Sequence, residues 1–200
     1  METRTLKSKI GIYMLLSVLA VLVVIPFGWM LLASVKTSNE VFSIPMKLFP
    51  KEFQWVNYQT IWDKIPLLVF FKNTFKIAVC TTLLQVLTSC FAAYGFSKVE
   101  FKGRDFLFLV SVTTFAVPWQ AYMVPQFALI SRMGLTDSHL GLILMQAFSG
   151  FGVFLIRQFM IGVPNELLEA ARIDGLSEYG IFAKIALPLV KPGIATLVIF

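Results

Sequence analysis

Side chains that could carry out catalysis or bind a metal are few in this 200-residue sequence. Cys80 and Cys90 fall in one apolar run, where about 15 Å of helix would separate them, too far for a disulfide. The single histidine, His139, follows Asp137 in a short polar stretch, where a loop-capping role explains both. No Gly-x-x-x-x-Gly-Lys-Ser/Thr phosphate-binding loop occurs. We therefore predict no catalytic residue, no metal site and no cofactor, and we expect that this chain does not bind or hydrolyse ATP itself.

The composition indicates a membrane protein. Apolar residues make up 58% of the chain and charged residues 14%, whereas soluble domains average about 45–50% and about 25%. The runs 10–35 and 106–131 contain no Asp, Glu, Lys or Arg, and each exceeds the about 20 residues that a helix needs to cross the hydrocarbon core. These features predict an all-α, multi-pass membrane protein. Its basic excess then reflects topology, and we expect no nucleic acid partner.

The apolar runs divide the chain into membrane spans. We expect a cytoplasmic N-terminus at residues 1–9 and a transmembrane domain over 10–200. Spans are predicted at about 10–35, 74–97, 106–131 and 140–159, with a fifth that starts near 193. The last run stops at Phe200, so we expect a chain truncated in its fifth span. Basic residues in the tight turn 98–105 favour a topology with the N-terminus inside, which puts residues 160–190 in the cytoplasm.

The third apolar run carries an unusual group of polar residues. Gln120, Tyr122 and Gln126 cluster around Pro118 and Pro125. Polar side chains beside a broken helix suit a cavity wall, which makes these three candidate pore-lining residues. A plain kinked helix whose polar groups bond to neighbouring helices explains the pattern equally well.

The polar segment 162–188 predicts a helix, a glycine turn and a second helix. Pro164 and the following acidic residues suit the start of the first helix, and Gly175 suits its end. Ser177 can cap the second helix, which Pro188 is expected to end. The first helix is amphipathic but too short to span. Its apolar stripe is predicted to consist of Pro164, Leu167, Leu168 and Ala171.

The same hairpin resembles the signature loop of ABC importer permeases. The resemblance lies in Glu169-Ala170-Ala171, in Gly175 four residues later, and in Ile185-Ala186-Leu187-Pro188. Further segments are similar to the carbohydrate-uptake branch, in particular to the maltose-type six-helix permease subunit, so that nearly the whole chain takes part. They include Pro26-Phe27-Gly28-Trp29, Ala92-Ala93-Tyr94-Gly95-Phe96, Gly134-Leu135-Thr136-Asp137-Ser138 and Pro164-Asn165-Glu166-Leu167-Leu168.

The resemblance implies a polytopic helical bundle of the type I ABC importer permease kind in the bacterial cytoplasmic (inner) membrane. In that family the loop is a coupling helix that sits in a cleft of the ATP-binding subunit. The residues to which the resemblance gives this coupling role are Glu166, Leu167, Glu169, Ala170, Ala171, Ile173, Asp174, Gly175 and Pro188. The implied partners are two ATP-binding cassette subunits, a second related permease subunit, an extracytoplasmic solute-binding protein, a sugar or oligosaccharide, and the surrounding membrane lipid.

Two alternatives stay open. All branches share the signature loop, so it does not exclude a permease for glycerol phosphate, an amino acid or a peptide. A secondary transporter would carry ionisable residues inside its spans for ion coupling, and the first four spans have no acidic side chain in their interiors.

Overall fold

The computed structural model describes residues 6–200, which form helices and connecting loops with no β-strand among them. Residues 1–5 of the predicted cytoplasmic segment 1–9 lie outside the described residues. The chain forms two compact units, one up to Val69 and one over Phe70–Phe200. The helices are α1 Leu6–Ser34, α2 Ser38–Val41, α3 Val56–Lys64, α4 Leu67–Lys98, α5 Arg104–Ala116, α6 Trp119–Arg132, α7 His139–Met145, α8 Gly150–Ile161, α9 Asn165–Ile173, α10 Glu178–Leu189 and α11 Lys191–Ile199.

Two helices are long and apolar enough to cross a membrane by themselves. They are Lys9–Ser34, with a mean hydropathy of 2.7, and Leu67–Lys98, with 1.7. Three further pairs meet at a bend: α5 with α6 at 101°, α7 with α8 at 52°, and α10 with α11 at 72°. If each bent pair is one span, the described residues contain up to five spans.

The second span starts earlier than the expected residue 74. Helix α4 begins at Leu67, directly after Pro66, and includes Lys72 and Lys76. Proline suits the position before a first helical turn, because its fixed φ matches the helix and no donor is needed there. Long lysine side chains near a helix end can extend to the interface, so these two charges do not end the helix.

In the first unit, the loop after α1 is bonded to the carboxyl end of that helix. Asn57 donates from Nδ2 to the carbonyl oxygens of Ser34 and Lys36, each at 3.0 Å. Lys36 is only 2% exposed, donates from Nζ to the Lys47 carbonyl at 2.6 Å, and lies 4.2 Å from the ring centroid of Trp29. The two bonds from Asn57 satisfy carbonyls at the carboxyl end of α1, which the helix itself leaves free.

The segments predicted as the third and fourth spans, about 106–131 and 140–159, each form two helices. The prolines of the third segment indicated a broken or kinked helix, whereas the fourth was predicted as one helix. In the third, the break lies at Val117–Pro118, where proline removes a donor and displaces the preceding turn. In the fourth, α7 ends at Met145 and α8 begins at Gly150, although no proline lies between them. The Ser149 side chain accepts a hydrogen bond from Gly152 N, which starts a new helix at this point.

Polar side chains from neighbouring helices compensate for the break in the fourth span. Gln85 donates from Nε2 to the Gln146 carbonyl at 2.8 Å, and Thr88 donates from Oγ1 to the Ala147 carbonyl at 2.9 Å. Gln126 donates from Nε2 to the Met145 carbonyl at 2.9 Å. Because the hydrocarbon core offers no water, carbonyls freed at a break need such donors.

The core of the second unit surrounds the carboxyl-terminal half of α4. Helices α8, α9 and α10 pack there, and side chains such as Ala93, Ile156 and Ile181 are fully buried. Close packing depends on a glycine, because a Cβ on Gly152 would overlap Ser89 Oγ on α4. Because α9 and α10 both contribute to this cluster, the hairpin is part of the main core of this unit.

Candidate functional site

The predicted hairpin is present as α9, a turn and α10, and the turn has the geometry of a Schellman motif. Gly175 N donates to the Arg172 carbonyl and Leu176 N donates to the Ala171 carbonyl, each at 3.0 Å. Gly175 has φ of 84°, in the left-handed region. A Cβ there would meet nothing within 4 Å, so the backbone conformation, and not the available space, requires glycine.

The sequence predicted that the second helix ends at Pro188, but the structure differs. Ser177 caps it by accepting from Gly180 N at 3.3 Å, and the helix continues through Pro188 to Leu189. A π-helical segment, Phe182–Ala186, ends two residues before the proline. Its wider turn accommodates the missing donor and the ring that a regular α-helix would exclude.

The hairpin buries a narrower face of α9 than the sequence predicted. Leu168 and Ala171 are 2% and 5% exposed and belong to the unit's core. Leu167, predicted on the same stripe, is 47% exposed. Adjacent positions on a helix differ by about 100°, so a nine-residue helix that packs through one face leaves the neighbouring position outside.

The outer surface of α9 collects most residues of the predicted coupling set. Ile173 is 86% exposed, Leu167 is 47% exposed, and the remaining exposed members are Glu166, Glu169, Ala170, Asp174 and Gly175. Ala171, which also belongs to the predicted coupling set, packs into the chain's own core. Pro188 is exposed at the far end of α10.

Side chains that the sequence reasoning did not single out tie the hairpin together. Arg172 on α9 donates from Nε and Nη2 to the carboxylate of Glu178 on α10. Tyr94 on α4 donates its hydroxyl to Glu178 Oε2 at 3.0 Å. The hydrogen bond from Arg172, together with that from Tyr94, lowers the pKa of Glu178 below its usual value, and the same pairing raises the pKa of Arg172.

A second bonded contact lies at the start of the hairpin. Lys98, at the end of α4, donates from Nζ to the Val163 carbonyl at 2.6 Å and to Asn165 Oδ1 at 2.8 Å. A cavity of about 520 Å³ lies between the Tyr94 contact and the Lys98 contact. It is lined by these two α4 side chains and by Glu100, Glu169 and Arg172. The sequence signal for this arrangement is the four-residue spacing of Tyr94 and Lys98, which places both on one helix face.

The three candidate pore residues do not form one group. The Gln126 amide is bonded to the Met145 carbonyl and accepts from Trp119 Nε1 at 3.3 Å, as a structural role requires. Tyr122 is 41% exposed and lines a separate cavity of about 490 Å³, together with Phe148. Gln120 is exposed on α6 and does not line that cavity. No cluster of metal-binding side chains occurs among the described residues.

Comparisons with known proteins place the chain in a family. Residues 85–200 match the model of the binding-protein-dependent transport system inner membrane component. The arabinooligosaccharides transport system permease protein AraQ of Bacillus subtilis is 33% identical over 96% of this chain and 69% of its own length. The sn-glycerol-3-phosphate transport system permease protein UgpE of Pectobacterium atrosepticum is 32% identical over 93% of this chain and 68% of its own.

A solved structure confirms the all-α fold. The structure of a bacterial ABC transporter involved in the import of the acidic polysaccharide alginate contains a similar chain. The match covers 100% of the present chain and 71% of that chain, with a TM-score of 0.85 and 24% sequence identity. The chain spans about two thirds of the length of the curated relatives that it matches. The predicted family resemblance is confirmed, and the protein is a transport component and not an enzyme. The chain belongs to the family of binding-protein-dependent transport system inner membrane components, the permeases of ABC importers.

Proposed function

We propose that the chain is the permease subunit of an ATP-driven importer for a sugar or oligosaccharide in the bacterial inner membrane. Its N-terminus and the α9–α10 hairpin face the cytoplasm. Two ATP-binding subunits, a second permease and an extracytoplasmic solute-binding protein complete the transporter. The observation that carries this proposal is the outer surface of α9. It exposes apolar side chains that the rest of the chain does not cover, on a helix that lies outside the candidate membrane spans.

The chemistry of this surface suits a protein partner. Ile173 and Leu167 are 86% and 47% exposed on a short helix outside the candidate spans. Glu166, Glu169 and Asp174, close to them in sequence, are exposed as well. An interfacial helix that binds anionic lipid headgroups carries lysine and arginine around its apolar side chains, and acidic residues would be repelled. A cleft with an apolar floor and a basic rim fits both parts of the surface.

The proposed mechanism requires no chemistry from this chain. Closure of the two ATP-binding subunits pushes the hairpin, and the membrane helices shift between outward and inward access. ATP thus biases a conformational equilibrium, because it binds one state of the assembly better than the other. In this mechanism the residues of the hairpin transmit force, and their contacts decide how much of the hydrolysis produces transport.

We place one wall of the sugar path at the cavity beside the two broken spans. Its volume of about 490 Å³ lies within the usual range for small-molecule sites, about 300–1,000 Å³. Tyr122, Phe115 and Phe148 supply aromatic surface, and Thr114 supplies a hydroxyl. Gln120 and Gln126 stay candidates for this path, although the Gln126 amide is already bonded to the fourth span.

The docking part of the proposal is tested by copurification. Ile173→Glu places a charge on the exposed apolar surface, and we expect it to release the ATP-binding subunits from the detergent-extracted complex. Val56→Glu, at an exposed apolar residue of α3 in the first unit, serves as the control and should retain them. Retention of the subunits by Ile173→Glu at wild-type levels would contradict the proposed docking surface.

A glycerol phosphate permease is the second candidate, because one relative carries that name. A phosphorylated solute needs a cation along its path, and the cavity at Tyr122 has no Lys or Arg in its lining. Arg157, the basic residue inside the fourth span, is bonded to the Phe96 carbonyl and lies 3.7 Å from Asp105. Uptake by vesicles that hold the complete transporter decides between them. Competition by neutral oligosaccharides and not by glycerol phosphate is the expected result.

A further inference from the structure

The end of α4 holds the hairpin at two separate places. Lys98 bonds the start of α9 through the Val163 carbonyl and Asn165 Oδ1. Tyr94, one turn earlier on the same face, bonds Glu178 at the start of α10. Glu178 in turn holds Arg172 near the end of α9. Both ends of α9 are therefore connected to one membrane helix.

Two contacts restrain the hairpin more than one contact would. Asn165 and Arg172 are seven residues apart, about 10 Å along a helix. A single bond would let α9 pivot about it, whereas bonds at both ends fix its direction relative to α4. The Tyr94 ring adds a packed contact, because it meets the Phe182 ring of α10 edge-on at 5.2 Å between centroids.

The covalent links of the hairpin are less suited to transmit force. α10 bends by 72° into α11, and the bend follows directly after Leu189. On the other side, Gly162–Pro164 interrupt the helix between α8 and α9. By contrast, α4 is an uninterrupted helix of 32 residues, about 48 Å long, enough to cross the bilayer core. A push on the hairpin thus meets a stiff element at α4 and bent elements elsewhere.

We propose that Tyr94 and Lys98 are positioning residues that make α4 and the hairpin one rigid body, so that the second span is the arm moved by ATP. This inference rests on the proposed function, since it assumes that the hairpin receives the push. Glu178 and Arg172 complete the connection by extending the Tyr94 bond across the hairpin to α9.

The test compares transport with ATP hydrolysis in vesicles that contain the complete transporter. Tyr94→Phe removes one hydroxyl and keeps the buried ring, and Lys98→Met removes the ammonium group and keeps the stem. We expect the sugar transported per ATP to fall at least about fivefold in the double variant, with ATP hydrolysis within about twofold of wild type. A double variant with Lys98→Arg in place of Lys98→Met keeps donor groups at this position, and it should recover much of the lost transport per ATP.

Matched controls lie on the hairpin itself. Tyr179→Phe removes a hydroxyl from an 80% exposed tyrosine that is next to Glu178 and makes no hydrogen bond in the described residues. Lys184→Met removes an exposed ammonium group from α10. Both should transport normally. Wild-type transport per ATP in the Tyr94→Phe/Lys98→Met variant would overturn the inference, and so would an equal loss of transport and hydrolysis, which indicates a merely structural role.

Failure of this inference can be told apart from failure of the proposed function. A cysteine at the exposed Ala170 reports whether the hairpin touches an ATP-binding subunit. If the crosslink forms and the double variant still couples normally, α4 is not the arm although the hairpin docks. If the crosslink is absent in the otherwise wild-type protein, the docking itself is wrong.

Discussion

At the scale of single residues, Gly175 sets the direction in which the chain leaves α9. Its φ of 84° lies in a region where a residue with a Cβ is strained by roughly 1–2 kcal/mol. A β-branched side chain is tolerated least. We therefore expect Gly175→Val to insert into the membrane normally but to transport far less sugar per ATP hydrolysed, in vesicles with the partner subunits.

Asparagine is the control for this change, because it tolerates the left-handed conformation. Gly175→Asn adds a comparable side chain in open space, and it should keep most of the transport. Normal uptake by Gly175→Val would show that the turn geometry is not needed for coupling.

We expect the ion pair of Arg172 and Glu178 to make the hairpin sensitive to acid. The pKa of Glu178 is lowered below its ordinary value of 4.5, mainly by the hydrogen bond from Arg172. A carboxylate with a lowered pKa stabilises the folded state above its unfolded pKa, and this contribution is lost as the pH falls through the folded value. We expect Glu178→Gln to be less thermally stable than wild type at about pH 7, and this difference to shrink below about pH 4.5.

The exposed Glu169 provides the comparison, since its carboxylate makes no hydrogen bond in the described part of the chain. Thermal unfolding of the detergent-extracted protein is measured for Glu178→Gln and for the control Glu169→Gln. A gap between wild type and Glu178→Gln that is the same at pH 7 and at about pH 3.5 would contradict the role given to this ion pair.

Residue patterns predicted the site in part. Proline, acidic residues and glycine mark the ends of α9 because they act through local backbone chemistry, which a sequence displays directly. The partners of Glu178 could not be found in this way. Tyr94 is distant in sequence and belongs to a membrane helix, so only the packing of α4 against the hairpin brings the two together.

At the scale of elements, the fourth span shows where sequence reasoning was wrong. Its apolar run contains no proline, and hydropathy alone predicts one helix over about 140–159. The break depends on donors that come from other helices, such as Gln85 and Gln126. The sequence shows these as isolated polar residues inside apolar runs, with nothing to indicate which carbonyl each one reaches.

This account makes a prediction about Gln85. Gln85→Leu leaves the Gln146 carbonyl without its donor at 2.8 Å, inside or beside the bilayer. A lost hydrogen bond of this kind lowers the free energy of unfolding by about 1–2 kcal/mol. Denaturant unfolding in detergent measures the change. Gln158→Leu, on an exposed face of α8, is the control, and an equal effect of the two changes would contradict the proposed role.

At the scale of the whole molecule, composition sufficed to predict a multi-pass all-α membrane protein, because the need to satisfy every backbone group in lipid leaves few alternatives. The family followed from the hairpin, whose signature residues Glu169, Ala170 and Gly175 are exposed outside the spans. The transported solute did not follow, since the wall that we propose for the sugar path consists of aromatic groups that breaks in two separate predicted spans bring together.

The central claim is that the outer surface of α9 touches an ATP-binding subunit. The most direct measurement is cysteine crosslinking in membranes that contain the complete transporter. Ala170 is exposed and its neighbour Ala171 is 5% exposed in the core, so the pair is internally controlled. The account predicts a nucleotide-sensitive crosslink to the ATP-binding subunit from Ala170→Cys and little or none from Ala171→Cys. No crosslink from a correctly inserted Ala170→Cys protein would contradict it.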